Sequence, residues 1–153
     1  MKDKVRLNSI KSTDNIIFYT ADTSKVLPLT FVEGGIAAGF PSPAEDYLDL
    51  SLDLNRELVK DQSSTFYGRV KGNSMIDAGF ADGDVVIIDR SAEPANGKIA
   101  VCFINGEFTI KRLRKMKDGL YLVPANSEFK PIKINEETDF MVWGVVTYII
   151  KKV

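Results

Sequence analysis

From Thr65 onward the chain is a succession of strand-length segments: FYGRVK, DVVIID, GKIAVCFI, EFTIKRL, GLYLV, KPIKI and FMVWGVVTYII. Each is set off by Gly, Pro, Asn or Asp. β-Branched and aromatic side chains suit a pleated, half-buried surface, and turn residues at this spacing break the chain into strands. The expected fold is mainly β, built of antiparallel strands as folded sheets or a distorted barrel. Asn105-Gly106 falls between two such segments. It is the strongest short hairpin signal in the chain, because a two-residue turn of this kind needs positive φ at both positions. One short helix is expected over residues 54–60, with Asp53 as N-cap and Leu54, Leu58 and Val59 facing the core.

The first 38 residues differ. They hold 5 basic and 4 acidic residues with little sustained periodicity, and lead into VEGGIAAGFPSPAEDY. Gly34, Gly35 and Gly39 loosen this stretch, whereas Pro41 and Pro43 keep it extended and bias Phe40 and Ser42 away from helix. Residues 1–38 are therefore expected to form an extended amino-terminal arm with little core of its own, followed by a β-rich domain over 39–153. No pair of helical patterns occurs in the arm, which disfavours a helix-turn-helix.

Composition removes several function classes. At 153 residues the chain suits one domain. Lys+Arg number 20 against Asp+Glu 21, giving a net charge of −1 rather than the basic excess of an electrostatic nucleic-acid or membrane binder. Cys102 is the single cysteine and there is no histidine. An internal disulfide, the usual zinc sets and a Cys-His catalytic pair are thus excluded. Asp82-Gly83-Asp84 lacks the spaced oxygen ligands of a calcium loop, and no metal or cofactor is expected. The amino terminus has no apolar h-region, and the longest apolar run, FMVWGVVTYII, covers 11 residues. A membrane-spanning helix needs about 20. The expectation is a cytoplasmic protein with no membrane partner.

Ser74 lies in the Gly-bracketed turn KGNSMIDAG, which suits an exposed nucleophile or an ordinary turn serine bonded to its neighbours. Without histidine, a nucleophilic serine requires lysine or a carboxylate as its base, and Ser-Lys pairs are a known variant of the triad. The lysine must then titrate near 7–8 instead of about 10.4, which costs roughly 3–4 kcal/mol of preference for the charged form. Burial supplies that shift. If Asn105-Gly106 is a two-residue turn, Ile104 faces Glu107, Cys102 faces Thr109 and Ala100 faces Lys111. Lys111 then shares a face with Ala100, Cys102, Thr109 and Leu113, whose small or apolar side chains leave room for it. The partner run IAVCFI is apolar throughout, as a strand buried on both faces would be. Lys111 is accordingly a better buried candidate than Lys98, Lys115 or Lys117, which lie near turns. The alternative is a strand lysine whose stem covers apolar surface while its ammonium stays in water.

GNSM, DGD followed by VVIID, and GEFTIKRL, with Ser74 and Lys111 separated by 37 positions, together resemble the self-cleaving Ser-Lys peptidases of the LexA and UmuD type. AAGFPSPAEDYLDLSLDLN resembles the stretch around and after that family's cleavage point, LVPANSEF a family segment, and VWGVVTYIIKKV its last strand. The resemblance covers roughly residues 27–153 and is nearest to the UmuD type; the region before Leu27 carries none. It implies Ser74 as nucleophile, Lys111 as general base and the chain's own Ala38–Gly39 bond as substrate. The small Ala38 and the Cβ-free Gly39 suit close approach to a nucleophile. The backbone N–H groups of Asn73 and Ser74 are the candidates for the oxyanion hole.

The function implied is that of a UmuD-like protein of the bacterial DNA-damage response. Contact with a RecA–single-stranded DNA filament stimulates self-cleavage, and the trimmed homodimer serves a UmuC-like error-prone DNA polymerase. No direct sequence-specific DNA binding is expected. Two other readings stay open: a non-enzymatic adaptor of the same fold, and a LexA-like transcriptional regulator. The latter needs a DNA-binding surface that neither the charge nor the arm provides.

Overall fold

The computed structural model describes residues 9–12, 16–24, 26, 28–31 and 50–153. It divides into two compact units, one of the described residues up to Ala21 together with 61–153, the other of those between Asp22 and Lys60. The smaller unit pairs β3 (Pro28–Phe31) antiparallel with β4 (Leu50–Asp53), followed by α1 (Leu54–Leu58). Asp53 caps that helix as expected, its carboxylate accepting from the Asn55 N–H at 3.0 Å. The helix stops at Leu58, short of the expected residue 60, because Val59 turns extended (φ −115°, ψ 96°). Val59 is buried, while Leu54 and Leu58 are half-buried.

The larger unit holds β1 (Ser9–Ser12), β2 (Ile16–Thr20), β5 (Thr65–Val70), β6 (Val85–Asp89), β7 (Ile99–Ile104) and β8 (Glu107–Met116). It ends with β9 (Gly119–Val123), β10 (Ile132–Lys133) and β11 (Phe140–Ile150). They form one antiparallel sheet in the order β1-β2-β5-β6-β11-β7-β8-β9-β10, which does not close. The sheet is nevertheless strongly rolled. β2 and β8 stand five strand spacings apart in the order, about 24 Å if the sheet were flat at roughly 4.8 Å per step. Yet the Phe18 and Phe108 ring centroids are 5.0 Å apart, and Trp143 of β11 lies 4.6 Å from Phe18. Curvature of this degree wraps the inner face around an aromatic core, with Val86, Ile88, Val101 and Ile110 packed about it. A smaller cluster of Ala100, Cys102, Leu113 and Leu122 lies on the opposite face of β7 and β8. The run IAVCFI is thus buried on both faces: Ala100, Val101 and Cys102 are all fully inaccessible.

The amino-terminal stretch does more than its sequence pattern suggests. Residues 16–20 form a strand inside the main sheet, and Ile16 and Phe18 belong to its central core. A segment as short as IIFYT has too few alternations for a period to show; its pairing with β5 places it in the sheet. β11, the longest apolar run, takes the central position in the strand order. Its burial is uneven, with Val145 enclosed but Met141, Tyr148 and Ile150 exposed. No helix among the described residues is long and apolar enough to cross a membrane.

Candidate active site

The hairpin between β7 and β8 turns at Asn105 (φ 46°) and Gly106 (φ 91°), the two positive angles that a type I′ turn requires. Its register pairs Ile104 with Glu107, Cys102 with Thr109 and Ala100 with Lys111, as the two-residue turn dictates. Lys111 is consequently carried inward and only 7% exposed. Lys98, Lys115 and Lys117 are all exposed.

The Ser74 loop is built from the other side. Gly72 takes a positive φ of 83°, and its N–H donates to the Asp82 carboxylate at 2.8 Å. Gly83 N–H donates to the Val70 carbonyl at 2.8 Å, and Val70 N–H to the Asp84 carbonyl at 2.9 Å. The DGD turn therefore straps the end of β5 and fixes where the chain leaves it. Met75, next to Ser74, is buried and anchors a single 3-10 turn over Ile76–Ala78.

These two constructions meet. Lys111 Nζ lies 2.9 Å from Ser74 Oγ, 2.7 Å from Thr109 Oγ1 and 3.0 Å from the Ile110 carbonyl oxygen. Three acceptors match the three N–H bonds of an ammonium, and none of them carries a charge. Burial without a counter-charge pushes the Lys111 amine below its ordinary value. A thiolate at Cys102 would oppose this. Burial, however, drives that thiol up to about 12, so it is uncharged where the amine titrates. Once neutral, the amine keeps two N–H bonds for the Ile110 carbonyl and the Thr109 hydroxyl. Its lone pair is left to face the Ser74 O–H, the arrangement a general base requires.

The pair opens on a cleft of about 310 Å³, lined by Asn73, Ser74 and Lys111 and by apolar Ile16, Ile104 and Ile132. Its wall at Ser74 is held by a segment distant in sequence. Ala125 N–H donates to the Ser74 carbonyl at 2.9 Å, and Asp77 N–H to the Ala125 carbonyl at 2.8 Å. The Asn73 carbonyl accepts from Ile76 N–H at 3.1 Å and from the Asn126 side-chain amide at 3.0 Å. A trans peptide is planar, so pinning the Asn73 oxygen turns the Ser74 N–H the opposite way. Neither the Asn73 nor the Ser74 N–H has an acceptor among the described residues.

Sequence reasoning brought Ser74 and Lys111 together and put Thr109 beside Lys111 only as a neighbour leaving room for it, not as a hydrogen-bond partner; it gave no part to Ala125 or Asn126. The signal for Thr109 was present, since residues two apart on a strand share a face. Asn126 lies 53 positions from Asn73 and carried no such signal. Ala38 and Gly39, the expected scissile pair, lie outside the described residues.

Comparison with known proteins is decisive about kinship. The family model for Peptidase S24-like proteins matches residues 30–147, well over half the chain and a span that includes Ala38, Gly39, Ser74 and Lys111. The chain belongs to the Peptidase S24-like family. S24 membership makes it a relative of serine peptidases and bears out the LexA- and UmuD-type resemblance. Among S24-like relatives, the protein MucA of Salmonella typhimurium is 39% identical over 133 residues, 86% of this chain and 90% of that one. The protein ImpA of Shigella flexneri is 38% identical over 134 residues, 87% of this chain and 89% of its own. The LexA repressor 1 of Xanthomonas campestris pv. campestris is 39% identical over 121 residues, 79% of this chain but 60% of the repressor.

Proposed function

We propose that the protein is a UmuD-like self-cleaving peptidase of the DNA-damage response, with Ser74 as nucleophile and Lys111 as general base. The observation that carries this reading is the 2.9 Å approach of a buried, uncompensated lysine nitrogen to a serine hydroxyl in the lining of a cleft. In the first step Ser74 Oγ attacks the Ala38 carbonyl carbon while its proton passes to the neutral Lys111 amine. The resulting oxyanion is held by the Asn73 and Ser74 N–H groups. Collapse breaks the Ala38–Gly39 bond, and Lys111 returns the proton to the Gly39 nitrogen. Water, deprotonated by the same amine, then hydrolyses the Ala38 ester and regenerates Ser74. Residues 39–153 are the trimmed product.

The relatives MucA and ImpA, together with the UmuD-like motifs, extend the reading. A RecA–single-stranded DNA filament stimulates the cleavage, and the trimmed homodimer works as accessory subunit of a UmuC-like error-prone polymerase. In this scheme the protein stays in the cytoplasm. The filament acts by favouring the pose in which the arm lies in the cleft, since the pair is already assembled without it.

The test is incubation at neutral pH with and without an activated filament, followed by intact-mass measurement. The filament is expected to speed appearance of a product beginning at Gly39, and Ser74→Ala to abolish it. Equal rates with and without filament would remove the regulatory part. A product beginning elsewhere would remove the assigned substrate.

A further inference from the structure

The arm is stitched into both units by strand pairing that the proposed cut leaves untouched. In the larger unit β2 pairs with β5 over five positions, from Ile16 opposite Val70 to Thr20 opposite Phe66. Its alternate residues Ile16 and Phe18 are 1% and 2% exposed, and Phe18 sits against the Phe108 and Trp143 rings. The seat is shaped for them. Gly68, opposite Phe18, is closely surrounded: an added Cβ would stand 3.1 Å from the Ile88 and Val86 side chains and 3.3 Å from that of Ile16. Just past β2, Ala21 is buried and its carbonyl accepts from the Gln62 side chain at 3.2 Å. In the smaller unit β3 pairs with β4 over four positions, Pro28 opposite Asp53 to Phe31 opposite Leu50. Residue 38 lies between β3 and β4 in the chain, so the cut severs the connection and none of these ladders.

We infer that cleavage nicks the chain without releasing the arm, and that residues 16–20 stay seated on β5 as a noncovalent strand. This rests on the proposed cleavage only for its setting. While β2 is in place, the hydrogen-bonding edge of β5 and the aromatic floor beneath Phe18 are covered. The trimmed domain exposes them only when the fragment leaves by a separate, slower event. An extended segment with bulky apolar residues two apart, the pattern of β2 itself, is the chemistry that competes for the seat.

The experiment makes the nick independently of Ser74. A recognition sequence for a site-specific protease is placed between Glu33 and Ala38 in the full chain, which is cut and passed over a sizing column with mass detection. The amino-terminal fragment is expected to co-elute with the remainder, and Phe18→Asp to shed it at least about 100-fold faster. Immediate separation of the wild-type fragment overturns the inference. Hydrogen exchange gives a reading that does not depend on the variant folding. The β5 amides that face β2 should stay protected after the nick, and exchange as fast as in a free edge strand contradicts retention. Failure of self-cleavage in the uncut protein would sink the proposed function and leave this result standing.

Discussion

Lys111 can be placed from the sequence because a hairpin is arithmetic: a two-residue turn at Asn105-Gly106 fixes every partner on β7 and β8. The pattern also puts Thr109 on the Lys111 face, but not the Ile110 carbonyl, which meets the nitrogen only because the side chain folds back along its own strand. The lowered pKa has a signed consequence for stability. Between the depressed folded value and the ordinary 10.5, the unfolded chain binds more protons than the folded one. Wild-type stability therefore rises with pH through that window, by up to about 1.4 kcal/mol per pH unit from this group. Lys111→Met removes the titration, so chemical denaturation at pH 7 and pH 10 should show the wild type gaining on the variant as pH rises. A constant difference would mean that the amine is not depressed. Asn126→Ala addresses the oxyanion wall. Loss of one donor to the Asn73 carbonyl is expected to lower the limiting self-cleavage rate roughly 10- to 100-fold, less than the roughly 100- to 1000-fold that removal of an oxyanion donor itself costs. The pH midpoint should stay put, because no contact of the Lys111 nitrogen changes. A shifted midpoint would assign Asn126 to the base instead.

At the scale of elements, β5 to β11 follow the segments read from sequence, since each has the composition of a pleated surface and a turn signal at its ends. β1 and β2 lie outside those segments, although IIFYT at 16–20 is wholly β-branched or aromatic and so carried a strand signal of its own; its pairing with β5 places it in the main sheet. Register irregularities are hidden. β11 shifts register between Val142 and Gly144 against β7 and again between Val146 and Tyr148 against β6. Gly144 sits within the first of these, where an added Cβ would stand 2.6 Å from Ile88 Cγ2 and 3.4 Å from the Asp89 carbonyl oxygen. Neither neighbour can yield, as Ile88 is fully enclosed and the carbonyl is backbone. Gly144→Ala is expected to destabilise by about 1–3 kcal/mol, measured by urea unfolding. An unchanged midpoint would show that β11 slides freely against β6.

For the whole molecule, the sheet order and its roll were not legible in the chain, because they rest on non-local partners such as Phe18, Phe108 and Trp143. The roll brings Ile16 of the amino-terminal stretch to the cleft of Ser74 and Lys111. On the proposed function, the chain supplies both the substrate segment and the catalytic pair of one reaction. That claim is met most directly by following the intact mass of the purified protein from pH 6 to pH 10. Under denaturing detection wild type should show the 39–153 mass, its Ala38–Gly39 bond cut at a rate that rises about tenfold per pH unit until the Lys111 amine is neutral and then levels off. Ser74→Ala and Lys111→Ala should stay whole throughout. A wild-type mass unchanged at pH 10, or cleavage of Lys111→Ala at the wild-type rate, would contradict the account.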